Sequence, residues 1–466
     1  MPKQSGLLHF FSGQHWLILL TAVVIFAIIA WPASFYFLND DLLHIPLSAD
    51  GEMGHHNSVR YIGDLSLMAD VNLFGKAAWG FHLTNLILHL FNSFLFFVIL
   101  KRLTGKDGPT TESWFVLYAT CFFLAFAFHS DAIFWIIGRS ASLGAFFLLC
   151  TVYVLITPNQ NSILKIIFIS IFWLLSLFTY ESVWFLPLWV TLIYFLPINN
   201  RYIKITLVEI LCLWVLFFAY MVIRWNETGA WLGTYEAKHF EDLSISMLLM
   251  NYAKLILRTF IPPLSASILY IIIGILVGLF FTALLILNFR KRQFSTTLNI
   301  FVIGWMLSYL PYLSLGISLK TIESERFLYL PSMLFAGLFF YMLCHWVKER
   351  NQRLFIHSIS IFIITWHFFV LHSNAQSYKL AGQVVMETFQ TIAALNLSGA
   401  DTLTIKGLPK TIKGVPAFRL GFEDGYKWLH GEMPHVIIED SMAFNNPVKA
   451  MIARQPNGAL LIFDEP

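Results

Sequence analysis

Long apolar runs are the feature of this sequence that most restricts its fold. A helix needs roughly 20 consecutive apolar residues to cross a hydrocarbon core about 30 Å thick, and runs of that size recur along the chain. Only 12% of the residues are charged, whereas soluble globular chains have about 25%. Because so little charge cannot cover a surface of normal size in water, we predict an integral membrane protein.

These runs predict about eleven transmembrane helices. Their approximate bounds are 15–38, 81–100, 114–130, 132–156, 163–180, 183–198, 204–223, 265–288, 298–317, 327–347 and 354–372. Every second loop is basic, as at Lys101 and Arg102, and the alternate loops are acidic, as at Asp40. Cytoplasmic loops carry the excess of Lys and Arg. The alternation therefore predicts a cytoplasmic N-terminus and an extracytoplasmic C-terminus.

Composition divides the chain into two predicted domains. Residues 1–373 are the membrane domain, whose first outer loop, residues 39–80, has apolar residues near the spacing of an amphipathic surface helix. Residues 374–466 become polar, with alternating segments such as PHVIIED. The predicted fold class is an all-α polytopic membrane protein with a small outward α/β tail domain.

Neither the cysteines nor the net charge indicates a further ligand. The four cysteines all lie inside apolar runs, with no metal-type pairing and no disulfide framework. The net charge of +3 gives no reason to expect nucleic acid. No His, Asp or Glu spacing indicates a bound metal, so we predict no required cofactor.

Two adjacent carboxylates, Asp40 and Asp41, follow the first span at the outer interface, in FLNDDLLHIP. A carboxylate there can act as a general base on an acceptor hydroxyl, or stabilise positive charge on a sugar ring. The alternative is that both are solvated residues after a helix end.

The second predicted span carries a polar stripe. His82, Asn85, His89 and Asn92 are spaced i, i+3, i+7 and i+10, which places them on one helix face. That face borders a polar interior, or its side chains form hydrogen bonds between helices.

Other outer turns also present polar groups. Arg139 lies deeper in the membrane, where a guanidinium requires an anion such as a carboxylate or a phosphate. Because the remaining groups fall at one membrane face, we predict that they share a site. These groups are His129, Asp131, Glu181, Glu323, Glu325, Arg326 and Tyr329.

The chain resembles the GT-C superfamily of membrane glycosyltransferases, closest to its protein O-mannosyltransferase-like branch. That branch includes the transmembrane and tetratricopeptide-repeat mannosyltransferases and their shorter bacterial relatives; no such repeats occur here. The segments that carry the likeness are NDD, VRYI with Arg60, GFHLTNLILHLFN, FHSDAIFWIIGR, TYES, ERFLYLPS and, in the tail, LTIKGLPKTIKGVPAFRLGF.

The resemblance implies transfer of a sugar, usually with inversion, from a polyprenyl-phosphate carrier to an acceptor outside the cytoplasm. It implies that an acidic residue in the first outer loop is catalytic, either Asp41 or Asp40, with a slight preference for Asp41. It implies a second catalytic acidic residue at Asp131. It also implies that Arg326 contacts the carrier phosphate. The predicted substrate-binding residues are Arg60, His82, His129, Arg139, Glu181, Arg326 and Tyr329.

The expected partners are the lipid-linked sugar donor, membrane lipids and an acceptor of unknown class, and the expected location is a bacterial inner membrane. Two alternatives stay open. A transporter or flippase of a lipid-linked glycan would have inverted repeats and broken helices near the midplane, and the sequence shows neither. A non-catalytic scaffold with a glycosyltransferase fold is the other.

Overall fold

Helices make up most of the chain in the computed structural model. The residues that the structure describes are 13–53, 59–104, 110–157, 162–195, 205–231, 244–264, 267–290, 296–345, 350–397, 401–444, 449–455 and 458–464. The α-helices within these ranges are α1 (Gly13–Ile29), α2 (Asp41–Ala49), α3 (Tyr61–Phe74), α4 (Ala78–Thr104), α5 (Thr110–Ala125), α6 (Asp131–Phe134), α7 (Arg139–Leu155), α8 (Ser162–Leu177), α9 (Leu186–Phe195), α10 (Leu207–Thr228), α11 (Ile245–Phe260), α12 (Ser267–Arg290), α13 (Thr296–Leu307), α14 (Tyr329–His345), α15 (Arg350–Ala394) and α16 (Phe422–His430).

Each of the eleven predicted spans overlaps one of these helices, which confirms a polytopic helical membrane protein. Five helical segments of the described ranges are long and apolar enough to cross a membrane: Gly13–Ser34, Ala78–Thr104, Leu207–Thr228, Glu325–Cys344 and Gln352–Ala394. Several basic loop residues that indicated the orientation lie outside the described residues, so the orientation stays a prediction. They are Lys106, Arg201, Lys204, Lys291, Arg292 and Lys348.

The bundle has a buried centre and an apolar outer surface. Helices α5 and α14 pack against each other at the centre, where Leu124 and Phe340 are fully buried. On the periphery, α10 exposes Leu211, Val215 and Phe218. Exposed apolar side chains in a row are unfavourable in water, and they are typical of a helix face that is turned to lipid.

The first loop holds the two short helices α2 and α3. Helix α3 falls where the amphipathic helix was predicted, and its apolar side chains Leu65 and Leu73 are exposed while the carboxylates of Asp64 and Asp70 are buried. Exposed leucines and buried carboxylates on one helix suit a segment that lies between lipid and protein. Residues 54–58 of this loop lie outside the described residues.

The tail contains two small sheets, as predicted for an α/β unit. One sheet has the strand order β4–β1–β7–β6 and the other has the order β3–β2–β5. The strands are β1 (Thr402–Lys406), β2 (Leu408–Ile412), β3 (Val415–Pro416), β4 (His435–Ile438), β5 (Ser441–Phe444), β6 (Lys449–Gln455) and β7 (Gly458–Asp464). Helix α15 continues through residue 373 to Ala394, so the division into domains at that residue stays a prediction.

The tail packs directly on α2. The Asn39 N–H donates to the Ala417 carbonyl at 2.7 Å, and the rings of Phe37 and Trp428 meet edge to face with centroids 5.6 Å apart. Gly421 has a φ of +72°, and a Cβ there would lie 2.5 Å from the backbone nitrogen of Leu43. Only glycine therefore permits this close approach.

We expect Gly421→Val to detach the tail from α2, because a branched side chain tolerates neither the positive φ nor the contact with backbone. Hydrogen exchange of the purified full-length protein should show lost protection of the Asn39 amide. Gly414→Val is the matched control, since Gly414 has a φ of +78° but open space around its Cβ position. Equal loss in both variants would contradict the packing argument.

Candidate functional site

A cavity of about 580 Å³ lies between the tail and the turns that join the membrane helices. The turn after α1, the segment around α6 and the turn before α14 form its membrane-domain wall, and strand β2 with the segment after β3 forms the opposite wall. The charged residues of its lining are Asp40, Asp131, Glu323, Arg326, Lys410 and Arg419.

The two adjacent carboxylates after α1 have different environments. Asp40 lines the cavity, and its Oδ1 accepts a hydrogen bond from Asn39 Nδ2 at 2.6 Å. Asp41 is 1% exposed. Its two oxygens accept the backbone N–H groups of Leu38 and Ile137, each at 3.0 Å.

Burial raises the pKa of the Asp41 carboxyl well above its usual range, while these two amide hydrogen bonds act in the opposite direction. Asp41 thus joins the turn after α1 to the segment before α7 and does not line the cavity. The geometry favours Asp40 over the slight sequence preference for Asp41.

Asp131 and Arg326 meet at the cavity wall. A guanidinium nitrogen of Arg326 lies 3.6 Å from Asp131 Oδ2, and the guanidinium carbon stands 4.9 Å from the centre of the Trp135 ring. The Tyr378 hydroxyl, from α15, donates to the other Asp131 oxygen. Burial raises the pKa of the Asp131 carboxyl, and the Arg326 charge opposes that effect. The structure thus brings four of the groups predicted to share a site, Asp40, Asp131, Glu323 and Arg326, to one cavity.

A second ion pair lies directly behind this wall. Ser130 and Glu325, the residues preceding Asp131 and Arg326, are joined by a hydrogen bond from Ser130 Oγ to Glu325 Oε2 of 2.5 Å. Arg258 of α11 donates to Glu325 Oε1 at 2.6 Å, and both side chains are fully buried. The other guanidinium nitrogens of Arg258 donate to the carbonyls of Ser318 and Ile261. This pair holds the turn before α14 against α11.

Arg139 finds its anion within the protein. Its guanidinium lies 2.5 Å from Asp70 Oδ2 and donates to Asn85 Oδ1 and the Phe81 carbonyl at 3.0 and 2.9 Å. The side chain is 1% exposed and does not line the cavity. These contacts tie α7 to α3 and α4, and the predicted substrate-binding role of Arg139 stays a prediction.

Arg60 and Glu181 form a separate cluster with Arg224. Arg60 contacts Glu181 Oε2 at 2.9 Å, and Arg224 of α10 contacts Glu181 Oε1 at 3.3 Å. Arg60 also stands 4.7 Å from the centre of the Tyr180 ring. None of these residues lines the cavity, so the structure does not bring Arg60 and Glu181 together with Asp40.

The polar stripe of α4 forms hydrogen bonds between helices, as one of its two interpretations predicted. His89 Nδ1 and Asn92 Nδ2 lie 2.8 and 3.0 Å from the Tyr329 hydroxyl, and Asn85 Nδ2 donates to the Trp135 carbonyl at 3.0 Å. Tyr329 is therefore held in the bundle by α4 and lies outside the cavity lining.

The predicted site histidines are buried away from the cavity as well. His82 Nε2 lies 3.3 Å from the Tyr36 carbonyl, and His129 Nδ1 lies 3.2 Å from Ser332 Oγ. Their substrate-binding roles stay predictions. Within the described ranges, no group of three or more His, Cys, Asp or Glu side chains is arranged to hold a metal ion.

The sequence did not single out the two tail cations of this cavity, Lys410 and Arg419. Lys410 and Arg419 both fall in the tail segment that carried the family resemblance. The family resemblance of this segment was the one feature of the sequence that could have identified Lys410. Hydropathy does not distinguish it, because an exposed lysine in a short strand lies outside every predicted span.

No protein-family model and no curated protein matches this sequence. Among solved structures, the fold is similar to that of ArnT from Cupriavidus metallidurans bound to undecaprenyl phosphate. The TM-score is 0.50 at 10% identity, over 91% of this chain and 86% of that one. The apo oligosaccharyltransferase of Archaeoglobus fulgidus gives a TM-score of 0.47 at 10% identity, over 91% of this chain and 65% of that one. The likeness to ArnT shows that the two chains share a fold.

Proposed function

We propose that this chain is a membrane glycosyltransferase that moves a sugar from a polyprenyl-phosphate-linked donor to an acceptor on the extracytoplasmic face, with inversion. One observation carries the proposal. Asp40 and Arg326, a candidate base and a candidate phosphate ligand, line the same cavity where the membrane helices end.

The proposed chemistry uses both groups at once. Asp40 accepts the proton of an acceptor hydroxyl while that oxygen attacks the anomeric carbon of the donor sugar. The bond from this carbon to the phosphate oxygen breaks on the opposite face, so the configuration inverts. Arg326 stabilises the negative charge that stays on the carrier phosphate, because guanidinium and phosphate form strong paired hydrogen bonds.

Asp131 and Tyr378 act on Arg326 in this proposal rather than on the sugar. The Asp131 carboxylate fixes the guanidinium from one side, and Tyr378 fixes the carboxylate. The solved ArnT structure, of similar fold, contains undecaprenyl phosphate, which supports a polyprenyl-phosphate carrier here. The family resemblance makes mannose the first sugar to test, and a bacterial inner membrane with an inward N-terminus the expected location.

The direct test is transfer by the purified protein in lipid vesicles. Polyprenyl phosphates with different radiolabelled sugars are supplied together with candidate acceptors, and the label is followed into a product that is no longer lipid-linked. We expect one donor to lose its label to an acceptor. Movement of the intact donor between leaflets without transfer would instead support the flippase alternative.

Arg326→Gln should raise the KM for the donor by about 10- to 100-fold, because a hydrogen bond to a charged group is worth roughly 1.5–3 kcal/mol. The steady-state rate at a series of donor concentrations measures the effect. Arg353→Gln is the control, since Arg353 is exposed near the start of α15 and away from the cavity. An unchanged donor KM in Arg326→Gln would remove Arg326 from phosphate binding.

A further inference from the structure

We infer that the tail completes the site and that Lys410 binds a phosphate or carboxylate group on the acceptor. This inference rests on the proposed transferase function, and it adds the chemical class of the acceptor. It starts from the tail wall of the cavity, where Lys410 of strand β2 lies opposite the membrane-domain turns.

The backbone fixes Lys410 relative to Asp40. The Lys410 carbonyl accepts the N–H of Ala417 at 2.9 Å, and the Ala417 carbonyl accepts the N–H of Asn39 at 2.7 Å. Asn39 is the residue before Asp40. Two hydrogen bonds therefore connect the strand that carries the lysine to the residue beside the proposed base.

Both arginines of the lining face a carboxylate, and Lys410 does not. Arg326 faces Asp131 at 3.6 Å, and Arg419 faces Glu323 at 2.9 Å. Among the described residues, Lys410 lies within ion-pair distance of no carboxylate. Its ammonium offers three donors to an incoming anion.

Position assigns this anion to the acceptor and not to the donor. The phosphate of a lipid carrier stays at the membrane surface, where Arg326 lies next to the start of the apolar helix α14. Helix α15 has 45 residues, about 68 Å at 1.5 Å per residue, and a hydrocarbon core is only about 30 Å thick. The tail that follows α15 therefore stands on the water side, from which a polar acceptor enters.

A direct binding measurement tests this inference and does not require catalytic turnover. The full-length protein in vesicles is titrated with glucose 6-phosphate, glucuronate and glucose, and separately with undecaprenyl phosphate. Lys410→Gln is compared with the wild type and with Lys413→Gln, an exposed tail lysine that does not line the cavity. The two sugar anions distinguish phosphate from carboxylate recognition, and the lipid reports on the donor site.

We expect the wild type to bind at least one sugar anion more tightly than glucose. Lys410→Gln should weaken that binding about tenfold, while Lys413→Gln and the binding of undecaprenyl phosphate stay unchanged. Equal affinity of the wild type for glucose and both anions would overturn the inference. So would a loss in Lys410→Gln confined to undecaprenyl phosphate, or an equal loss in Lys413→Gln.

The two proposals fail in different experiments. If the inference fails, transfer of labelled sugar from the lipid donor can still proceed to a neutral acceptor. If transfer fails for every donor, the preference for a sugar anion and its dependence on Lys410 still stand as binding measurements.

Discussion

Replacing Asp40 with asparagine should lower the transfer rate by about 10²–10⁴-fold, the usual contribution of a positioned general base. The amide has nearly the same shape as the carboxylate and can accept the hydrogen bond from Asn39, but it cannot take the proton of the acceptor hydroxyl. Binding of the donor and the melting temperature should change little, because Asp40 lines a cavity. Rates of labelled-sugar transfer with the purified protein in vesicles measure the effect.

Two neighbouring aspartates serve as controls for this variant. Asp50→Asn changes an exposed carboxylate at the end of the same helix, α2, and should leave the rate unchanged. Asp41→Asn places an amide where both carboxylate oxygens accept backbone N–H groups, so it should lower the melting temperature as well as the rate. Full activity of the Asp40→Asn protein would exclude Asp40 as the general base.

Replacing Arg258 with methionine should destabilise the fold by about 3–5 kcal/mol, because Glu325 is then left charged or protonated in a fully buried place. The turn before α14 should loosen with it, since Glu325 and Arg326 are adjacent there. Thermal unfolding of the purified protein in detergent should show a clearly lowered melting temperature.

Two further variants test whether the unpaired buried charge causes the loss of stability. Lys427→Met removes an exposed i,i+4 partner of Glu423 and should cost about 0.3–0.5 kcal/mol. The double variant Arg258→Met with Glu325→Leu replaces both charges with apolar groups and should recover part of the stability lost in the single variant. A double variant less stable than Arg258→Met alone would contradict an uncompensated charge as the cause.

The membrane class and the helices could be predicted from the sequence because a bilayer imposes a local requirement. Each span must supply its own apolar residues within one stretch of chain, so α4 or α10 can be recognised without knowing its neighbours. The carboxylates and arginines at the helix ends could be recognised in the same way, since charge near a span is costly wherever that span packs.

The distribution of these groups between one cavity and the protein interior could not be predicted from the sequence. The sequence predicted that Arg139 pairs with an anion, and in the structure that anion is the carboxylate of Asp70. Asp70 comes from a loop helix 69 positions earlier in the chain, and no local pattern relates the two. The same holds for Arg258 and Glu325, whose pairing depends on how α11 packs against the turn before α14.

Apolar runs and loop charges determined by themselves that this chain is a helical membrane protein with acidic and basic groups gathered at helix ends. Only the tertiary structure decided that Asp40 faces the cavity while Asp41 binds backbone amides. The tertiary structure also decided that a strand from the tail brings Lys410 to the same cavity as Asp40. The physical reason is the separation along the chain over which each effect acts. Hydropathy acts on consecutive residues, whereas a cavity wall is made by backbone hydrogen bonds and close packing between segments far apart in the chain.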